Sequence, residues 1–288
     1  MADLIPPVAP RLPAAPTEYA QRYGDDLTNI LRLYFNQLDN TIRELILANP
    51  VPFDLRVARG QVTGWSSVRV NGYNPDVGNT TENIWPHGNS YTFPAAAATM
   101  TLYSTVVGDT TQTVLIQGLD SAYLPIQEVL VLNGQTGVAT TKQYLRINRM
   151  RVTTGQPTGI ISLGTGVATA GVPANIYGYM AAGDLTSQMG VYTVAAASSL
   201  LVTNNTVLVG GLSATQFVTV SVRAKNAAGT DFLLNNATLA NGSVVMPIDP
   251  EIAFPEKTDV YYTGKSSTGS GVAISVAFSA YLVANSAA

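Results

Sequence analysis

A break near Pro50 constrains this chain of 288 residues more than any other feature. Residues 1–16 contain five prolines, which disfavour helix and central strand and favour an extended polyproline II arm. Residues 17–50 carry a helical pattern, whereas from Val51 onward the apolar residues recur with a period of two between turns. We therefore predict an extended arm, one amphipathic helix and a large β body.

The predicted helix begins at Thr17, whose hydroxyl can cap it, and ends near Leu47, before Asn49 and Pro50. Its apolar stripe steps by four and three residues and consists of Leu27, Leu31, Tyr34, Leu38 and Leu45, with Thr41 in the same line. This face must be buried. Two interpretations remain open: the helix lies on the β body, or it packs against copies of itself as a short coiled coil.

The β body is predicted to be all-β, with a β-sandwich or jelly-roll-like architecture, because strands recur about every ten residues without intervening helices. Asn133-Gly134 and Asn241-Gly242 are the strongest turn signals and predict type I′ turns. The body is either one unit or two β subdomains, residues 51–182 and 183–288. The predicted strands are Gln61–Val70, Thr99–Val107, Thr113–Leu119, Ile126–Leu132, Gln143–Thr153, Gly159–Leu163, Ile176–Met180, Gly190–Val194, Leu200–Leu208, Gln216–Lys225, Asp231–Asn235, Gly242–Pro247, Thr258–Thr263 and Gly271–Val283.

Composition excludes several classes of protein. Charged residues make up 11% of the chain, against about 25% in ordinary domains, but 46% hydrophobic residues and a net charge of −3 argue against disorder. No segment is long and apolar enough for a membrane-spanning helix. Fifteen basic residues against eighteen acidic ones argue against nucleic acid as the main partner. The chain lacks cysteine, and its first residues show no secretory signal pattern.

We predict no enzymatic activity, no catalytic residues, no metal and no cofactor. His87 is the single histidine and follows Trp85-Pro86, without a nucleophile motif, so we interpret it as a turn residue. The carboxylates mostly flank turns and do not predict a hydrolase pair. The segment 74–79 with Glu82 could offer oxygen ligands to calcium, but it lacks EF-hand spacing and turn formation explains it.

A basic strand and a run of aromatic residues are the remaining candidates for binding. Simple alternation places Leu145, Ile147 and Arg149 on one face of the strand, and Arg146 and Met150 on the other. Both faces mix apolar and basic groups, so we predict an inter-subunit contact through Arg146, Arg149 and Arg151. The aromatic residues Trp65, Tyr73, Trp85, Tyr91 and Phe93 are interpreted as core and rim, with a sugar-binding platform as the alternative.

Several segments form patterns that can be compared with known proteins. In the N-terminal part they are Pro10-Arg11-Leu12-Pro13, Tyr19 and Leu31 with residues 34–40. In the central and C-terminal parts they are residues 84–88, 91–94, 116–120, 132–134, 145–149 and 254–259. These segments resemble structural proteins of marine T7-like tailed bacteriophages. The resemblance covers most of the chain and implies a non-enzymatic, oligomeric component of the virion.

The resemblance and the bipartite sequence together predict a protein that decorates the capsid as a cement, knob or head-fibre component. Its partners are then the major capsid protein and further copies of itself, as a homotrimer assembled into virions in the host cytoplasm. Leu4, Ile5, Val8 and Leu12 of the arm are the predicted anchor, together with the helix stripe. The alternatives are a tail fibre or tail adaptor-associated protein, and a carbohydrate-binding module that contacts the host surface.

Overall fold

A computed structural model describes residues 21–47, 51–240, 242–245, 253–269 and 271–285. Two compact units divide the chain, residues 1–61 and 62–288. The first unit contains helix α1 (Gln21–Leu47) and helix α2 (Phe53–Ala58). The predicted helix is therefore confirmed to its end at Leu47, while Thr17 lies outside the described residues. Helix α2 was not predicted, since six residues are too few for a helical pattern to emerge.

The second unit is all-β, as predicted. Its strands are β1 (Trp65–Val77), β2 (Glu82–Asn83), β3 (Ala98–Ser104), β4 (Thr113–Leu119), β5 (Pro125–Val131), β6 (Val138–Tyr144), β7 (Arg146–Thr154), β8 (Ile161–Thr165), β9 (Asn175–Met180), β10 (Val191–Thr193), β11 (Ser198–Gly210), β12 (Val218–Lys225), β13 (Asp231–Leu239), β14 (Gly242–Val245), β15 (Ala253–Phe254), β16 (Asp259–Ser266) and β17 (Val272–Ala284). Each predicted strand overlaps at least one of these, and the predicted strand Gln143–Thr153 spans the end of β6 and most of β7. The rest of β6, together with β2 and β15, was not predicted.

In the part of the chain that the structure describes, four antiparallel sheets form two β-sandwiches. Sheet A has the order β1-β17-β11-β14, with β15 beside β11, and sheet B has the order β10-β16-β12-β13, with β2 beside β16. These two sheets enclose a valine-rich core and form sandwich 1. Sheet C, in the order β6-β3-β8-β9, and sheet D, in the order β5-β4-β7, enclose a second core and form sandwich 2.

Sandwich 2 is inserted into sandwich 1. All its strands, β3 to β9, lie in the sequence between β2 and β10, which both belong to sheet B. Strand β1 returns to the C-terminal end of the chain, where it pairs along its length with β17. The predicted division into residues 51–182 and 183–288 stays a prediction, and the pairing of β1 with β17 crosses it.

A β-bulge in β7 changes which residues of the basic strand face the core. Gln117 of β4 lies opposite Arg149, while the next residue, Gly118, lies opposite Ile147, so Asn148 is an extra residue in the ladder. Ile147 and Met150 are consequently both buried in the core of sandwich 2, and the predicted simple alternation is wrong at this point. Gly118 fits against the bulge because a Cβ there would lie 2.1 Å from the carbonyl oxygen of Arg146.

The turn at Asn133-Gly134 connects two strands that are not paired with each other. Gly134 has a φ of 59°, but Asn133 does not adopt a positive φ, so the predicted type I′ turn does not form. Strand β5 pairs with β4, and β6 pairs with β3, which places the two strands in different sheets. The turn therefore links sheet D to sheet C. Asn241 lies outside the described residues.

Candidate assembly surfaces

Helix α1 exposes large apolar side chains. Leu33 is 64% exposed, Phe35 59% and Ile42 47%, and none of the side chains described in this helix is buried. In the predicted stripe, Leu27, Tyr34 and Leu38 are half-buried and Leu31 is 37% exposed. The side chain of Leu45 and the arm residues Leu4, Ile5, Val8 and Leu12 lie outside the described residues.

Thr41 interrupts the apolar stripe without leaving a polar group unsatisfied. Its hydroxyl donates a hydrogen bond of 2.8 Å to the carbonyl oxygen of Gln37, one turn earlier in the helix. This local bond leaves the methyl group of Thr41 available for apolar packing. The stripe can therefore continue across this position when the helix meets another surface.

Arg146 occupies the junction between the two sandwiches. Its Nε and Nη2 donate to Asp259 Oδ1 and Oδ2 at 2.8 and 3.0 Å, a bidentate ion pair that joins β7 to β16. Its Nη1 donates to the carbonyl oxygen of Pro94 at 2.9 Å. The guanidinium carbon lies 5.1 Å from the centre of the Phe93 ring and 5.7 Å from that of Tyr123. Within this chain Arg146 connects the two sandwiches. Its predicted inter-subunit contact stays a prediction.

Two further contacts hold β7 against the segment that precedes and includes β10. The Asn148 side chain donates to the carbonyl oxygen of Thr193 at 3.0 Å and accepts the Thr193 backbone N–H at 2.9 Å. The Ser187 hydroxyl accepts the backbone N–H of Met150 at 2.9 Å. Asn148, the bulge residue, thus connects the two sandwiches. Its paired hydrogen bonds with Thr193 fix the relative position of the sandwiches.

Arg149 and Arg151 point away from the core of sandwich 2. Both are exposed on the outer face of sheet D, which also exposes Val129 and Val131 of the edge strand β5. Mixed basic and apolar character is typical of a contact surface. Their predicted inter-subunit role stays a prediction.

The other candidates from the sequence form structural contacts. Glu82 accepts the backbone N–H groups of Gly78 at 2.9 Å and Asn89 at 3.3 Å, so it closes the loop that was considered for calcium. The described residues contain no group of three or more His, Asp or Glu side chains placed to hold a metal ion. His87 is exposed, and its ring centre lies 4.9 Å from that of Trp85 and 5.4 Å from that of Tyr179.

The aromatic run contributes mainly to the core. Trp85 and Tyr91 are buried in the core of sandwich 2, with their ring centres 5.1 Å apart. Burial raises the pKa of the Tyr91 hydroxyl above its ordinary value, since the ionised form would be poorly solvated there. Trp65 is half-buried and packs edge-on against Tyr281. Trp85 and Tyr91 therefore offer no exposed platform for a sugar, and the core interpretation is confirmed for both.

In the described part of the chain, no helix combines the length and the apolar character that crossing a membrane requires.

Comparisons with known proteins do not place the chain in a family. No family model matches it, and no curated protein does. Among solved structures, the chain is similar to the structure of infectious bursal disease virus Gt strain, with 12% sequence identity, coverage of 81% of this chain and 78% of the viral chain, and a TM-score of 0.22. The structure of the Gx strain has 12% identity, coverage of 84% of this chain and 77% of the viral chain, and a TM-score of 0.25. The VP2 subviral particle of the same virus has 9% identity, coverage of 81% and 82%, and a TM-score of 0.21. At these TM-scores the similarities define neither the fold nor the function of this chain.

Proposed function

We propose that this chain is a non-enzymatic structural component of a bacteriophage virion that decorates the capsid surface. The proposal rests on three features: the resemblance to structural proteins of marine T7-like phages, the β body of two joined sandwiches, and the apolar side chains that helix α1 exposes. In this account the body projects from the particle, and the arm and helix hold it there. The mechanism is burial of surface rather than chemistry.

The exposed helix is the observation that carries the proposal. Leu31, Phe35 and Ile42 expose large apolar surfaces within a stretch of three turns. Burial of one such side chain contributes about 1.5–3 kcal/mol, and most of the stability of a helix in a protein comes from packing of its apolar face. A partner that covers several of these side chains therefore stabilises both the helix and the assembly.

A second copy of the chain fits the stripe of helix α1. Leu27, Leu31, Tyr34, Leu38 and Thr41 alternate steps of four and three residues, which is the spacing of the seam in a coiled coil. Phe35 and Ile42 widen this seam on one side, as expected where more than two helices meet. We propose a homotrimer held by this seam, with the arm left to bind the shell.

Leu31→Glu is expected to convert the oligomer into monomers, because a carboxylate would have to be desolvated in the seam. Leu33→Glu is the matched control, because Leu33 lies outside the seam. At 3.6 residues per turn, Leu33 is about 120° around the helix axis from the seam residue Leu27. Native mass spectrometry of the full chain measures both variants. A monomeric unsubstituted protein, or equal loss of oligomer in the two variants, contradicts the seam.

Placement on the tail, as a fibre or adaptor-associated protein, keeps the same body and the same seam. The number of copies per particle separates the two locations, because a capsid surface offers many more equivalent positions than a tail.

A further inference from the structure

A cleft lies between the two sandwiches, on the side of β1 that faces away from its partner strand β17. Its walls are the segment 67–71 of β1, the outer face of sheet D and the segment 186–195. Its volume is about 560 Å³, which falls within the range of about 300–1,000 Å³ that is typical of small-molecule sites. The contacts of Asn148 with Thr193 hold the walls in place.

The floor of the cleft is apolar and its rim is polar. Its lining includes five buried apolar residues from both sandwiches, Val70, Leu119, Met189, Val191 and Ala195. Three polar residues of the rim form a row across sheet D. The register of the strands places Gln127, Gln117 and Arg149 directly opposite one another on three adjacent strands. An apolar floor with a few convergent polar groups is the usual composition of a ligand site.

The amide groups of this row retain hydrogen-bonding capacity toward a ligand. Gln117 Nε2 donates to Gln127 Oε1 at 3.3 Å, which leaves Gln117 Oε1 as an acceptor and Gln127 Nε2 as a donor. Ser67 and Asn71 add a hydroxyl and an amide from the opposite wall. Fixed donors and acceptors in alternation match a ligand that is rich in hydroxyl groups.

The charge of the cleft is positive. Of the described residues that line it, Arg69 and Arg149 are charged and none is acidic. Arg149 Nε donates to the Thr186 hydroxyl at 3.4 Å, which orients the guanidinium. Within the described part of the chain, the Arg69 side chain makes no ion pair or hydrogen bond. Both guanidinium groups can therefore bind a planar carboxylate or a sulfate through paired N–H groups.

We propose that this cleft binds an acidic saccharide, with Arg69 and Arg149 holding its anionic group and Gln117 and Gln127 its hydroxyls. The anionic group is a carboxylate or a sulfate ester, both of which present oxygen acceptors to arginine. This site goes beyond the structural role proposed above and depends on none of the residues of helix α1. It would give the β body a direct contact with charged surface polysaccharide.

The test is isothermal titration of the full chain with four probes: trigalacturonate, a sulfated heparin disaccharide, neutral maltotriose and tetraglutamate. We expect one of the two acidic saccharides to bind, and the one that binds identifies the anionic group. Arg69→Gln and Arg149→Gln should each weaken that binding at least about tenfold, because each removes charged hydrogen bonds. Arg69→Gln tests the proposal even if Arg149→Gln disturbs the fold, because the Arg69 side chain makes no ion pair or hydrogen bond within the described part of the chain.

Arg151→Gln is the matched control. Arg151 is exposed on the same face of the same strand as Arg149 but does not line the cleft. Its substitution should leave binding unchanged, whereas an equal loss would reveal general attraction to a basic surface and overturn the proposal. Binding of neither acidic saccharide, equal affinity for maltotriose, or a preference for tetraglutamate would also overturn it.

Discussion

The variant Asp259→Ala is expected to lose about 3–5 kcal/mol of the free energy of unfolding, because it leaves a buried arginine without its counter-ion. The side chains of Arg146 and Asp259 are only 11% and 4% exposed. Asp259 Oδ1 also accepts the Thr193 hydroxyl at 2.6 Å, so a second buried group loses its partner. Chemical denaturation followed by the fluorescence of the two tryptophans, Trp65 and Trp85, measures the loss.

Asp259 stabilises the charged form of Arg146. Burial alone lowers the pKa of the guanidinium, but the hydrogen bonds and the charge of Asp259 outweigh burial and raise it above its ordinary value. Without Asp259, the charged guanidinium of Arg146 would remain buried with no counter-ion to offset the free-energy cost of its desolvation. Since the pair joins β7 of sandwich 2 to β16 of sandwich 1, the junction itself weakens.

Asp231→Ala is the control for this prediction. Asp231 of β13 pairs with Arg223 of β12 at 3.2 Å, with side chains that are 37% and 31% exposed, and its Oδ2 accepts the Tyr261 hydroxyl at 2.6 Å. Its loss should cost about 1–2 kcal/mol, because an exposed ion pair contributes little and a single neutral hydrogen bond about 1 kcal/mol. If the two aspartate variants lose the same stability, the junction does not depend on the buried pair.

The second large effect is expected for Asp109→Asn, at about 2 kcal/mol or more. Asp109 is 1% exposed and its two carboxylate oxygens accept four hydrogen bonds. Oδ1 accepts the N–H and the hydroxyl of Thr158, each at 3.0 Å, and Oδ2 accepts the N–H of Gly159 at 2.9 Å and the Ser104 hydroxyl at 2.6 Å. An asparagine amide must turn its NH₂ group toward one of the two backbone N–H groups, in either orientation.

The same carboxylate makes stability depend on pH. Burial raises the pKa of Asp109, but the hydrogen bonds from Ser104, Thr158 and Gly159 outweigh burial, and the pKa in the folded protein lies below its ordinary value. The stabilisation is therefore complete above the pKa of an unfolded aspartate, about 3.9, and is lost as the pH falls through the lower folded-state value. Asp109→Asn should lose this acid-dependent component, which denaturation at pH 7 and in the acid range measures.

Asp120→Asn provides the matched control. Asp120 accepts the N–H groups of Ala122 and Leu124 at 2.8 and 2.9 Å, both through Oδ1. An asparagine carbonyl oxygen can replace that acceptor without turning the NH₂ group toward either donor, so the change should cost less than about 0.5 kcal/mol. Equal destabilisation by the two substitutions would contradict the argument from the four-bond geometry of Asp109.

Local pattern was sufficient to predict most of the elements. The period of two located β4 at its observed bounds, and the stripe of helix α1 located the end of that helix at Leu47. The bulge at Asn148 escaped prediction because a single extra residue leaves no mark in the sequence of a strand. The insertion of sandwich 2 escaped it as well, since the pairing of β1 with β17 joins residues that are far apart in the chain.

The surfaces were harder to predict than the strands. The sequence singled out the basic strand, but Arg146 is turned toward Asp259, a partner 113 residues away. The cleft was not predicted at all, because Arg69, Gln117 and Arg149 come from three separate strands and form no motif. A long-range polar pair such as Arg146 with Asp259 has no periodic signal. Only the pairing of strands brings these side chains together.

The central claim, decoration of a capsid, is tested most directly by counting copies of this chain in purified virions. Quantitative mass spectrometry, scaled to the major capsid protein, gives that number. The account predicts on the order of hundreds of copies per particle, in a fixed ratio to the capsid lattice. About a dozen copies, the number expected from the symmetry of a tail, would contradict capsid decoration in favour of the tail, and complete absence from virions would contradict the virion role itself.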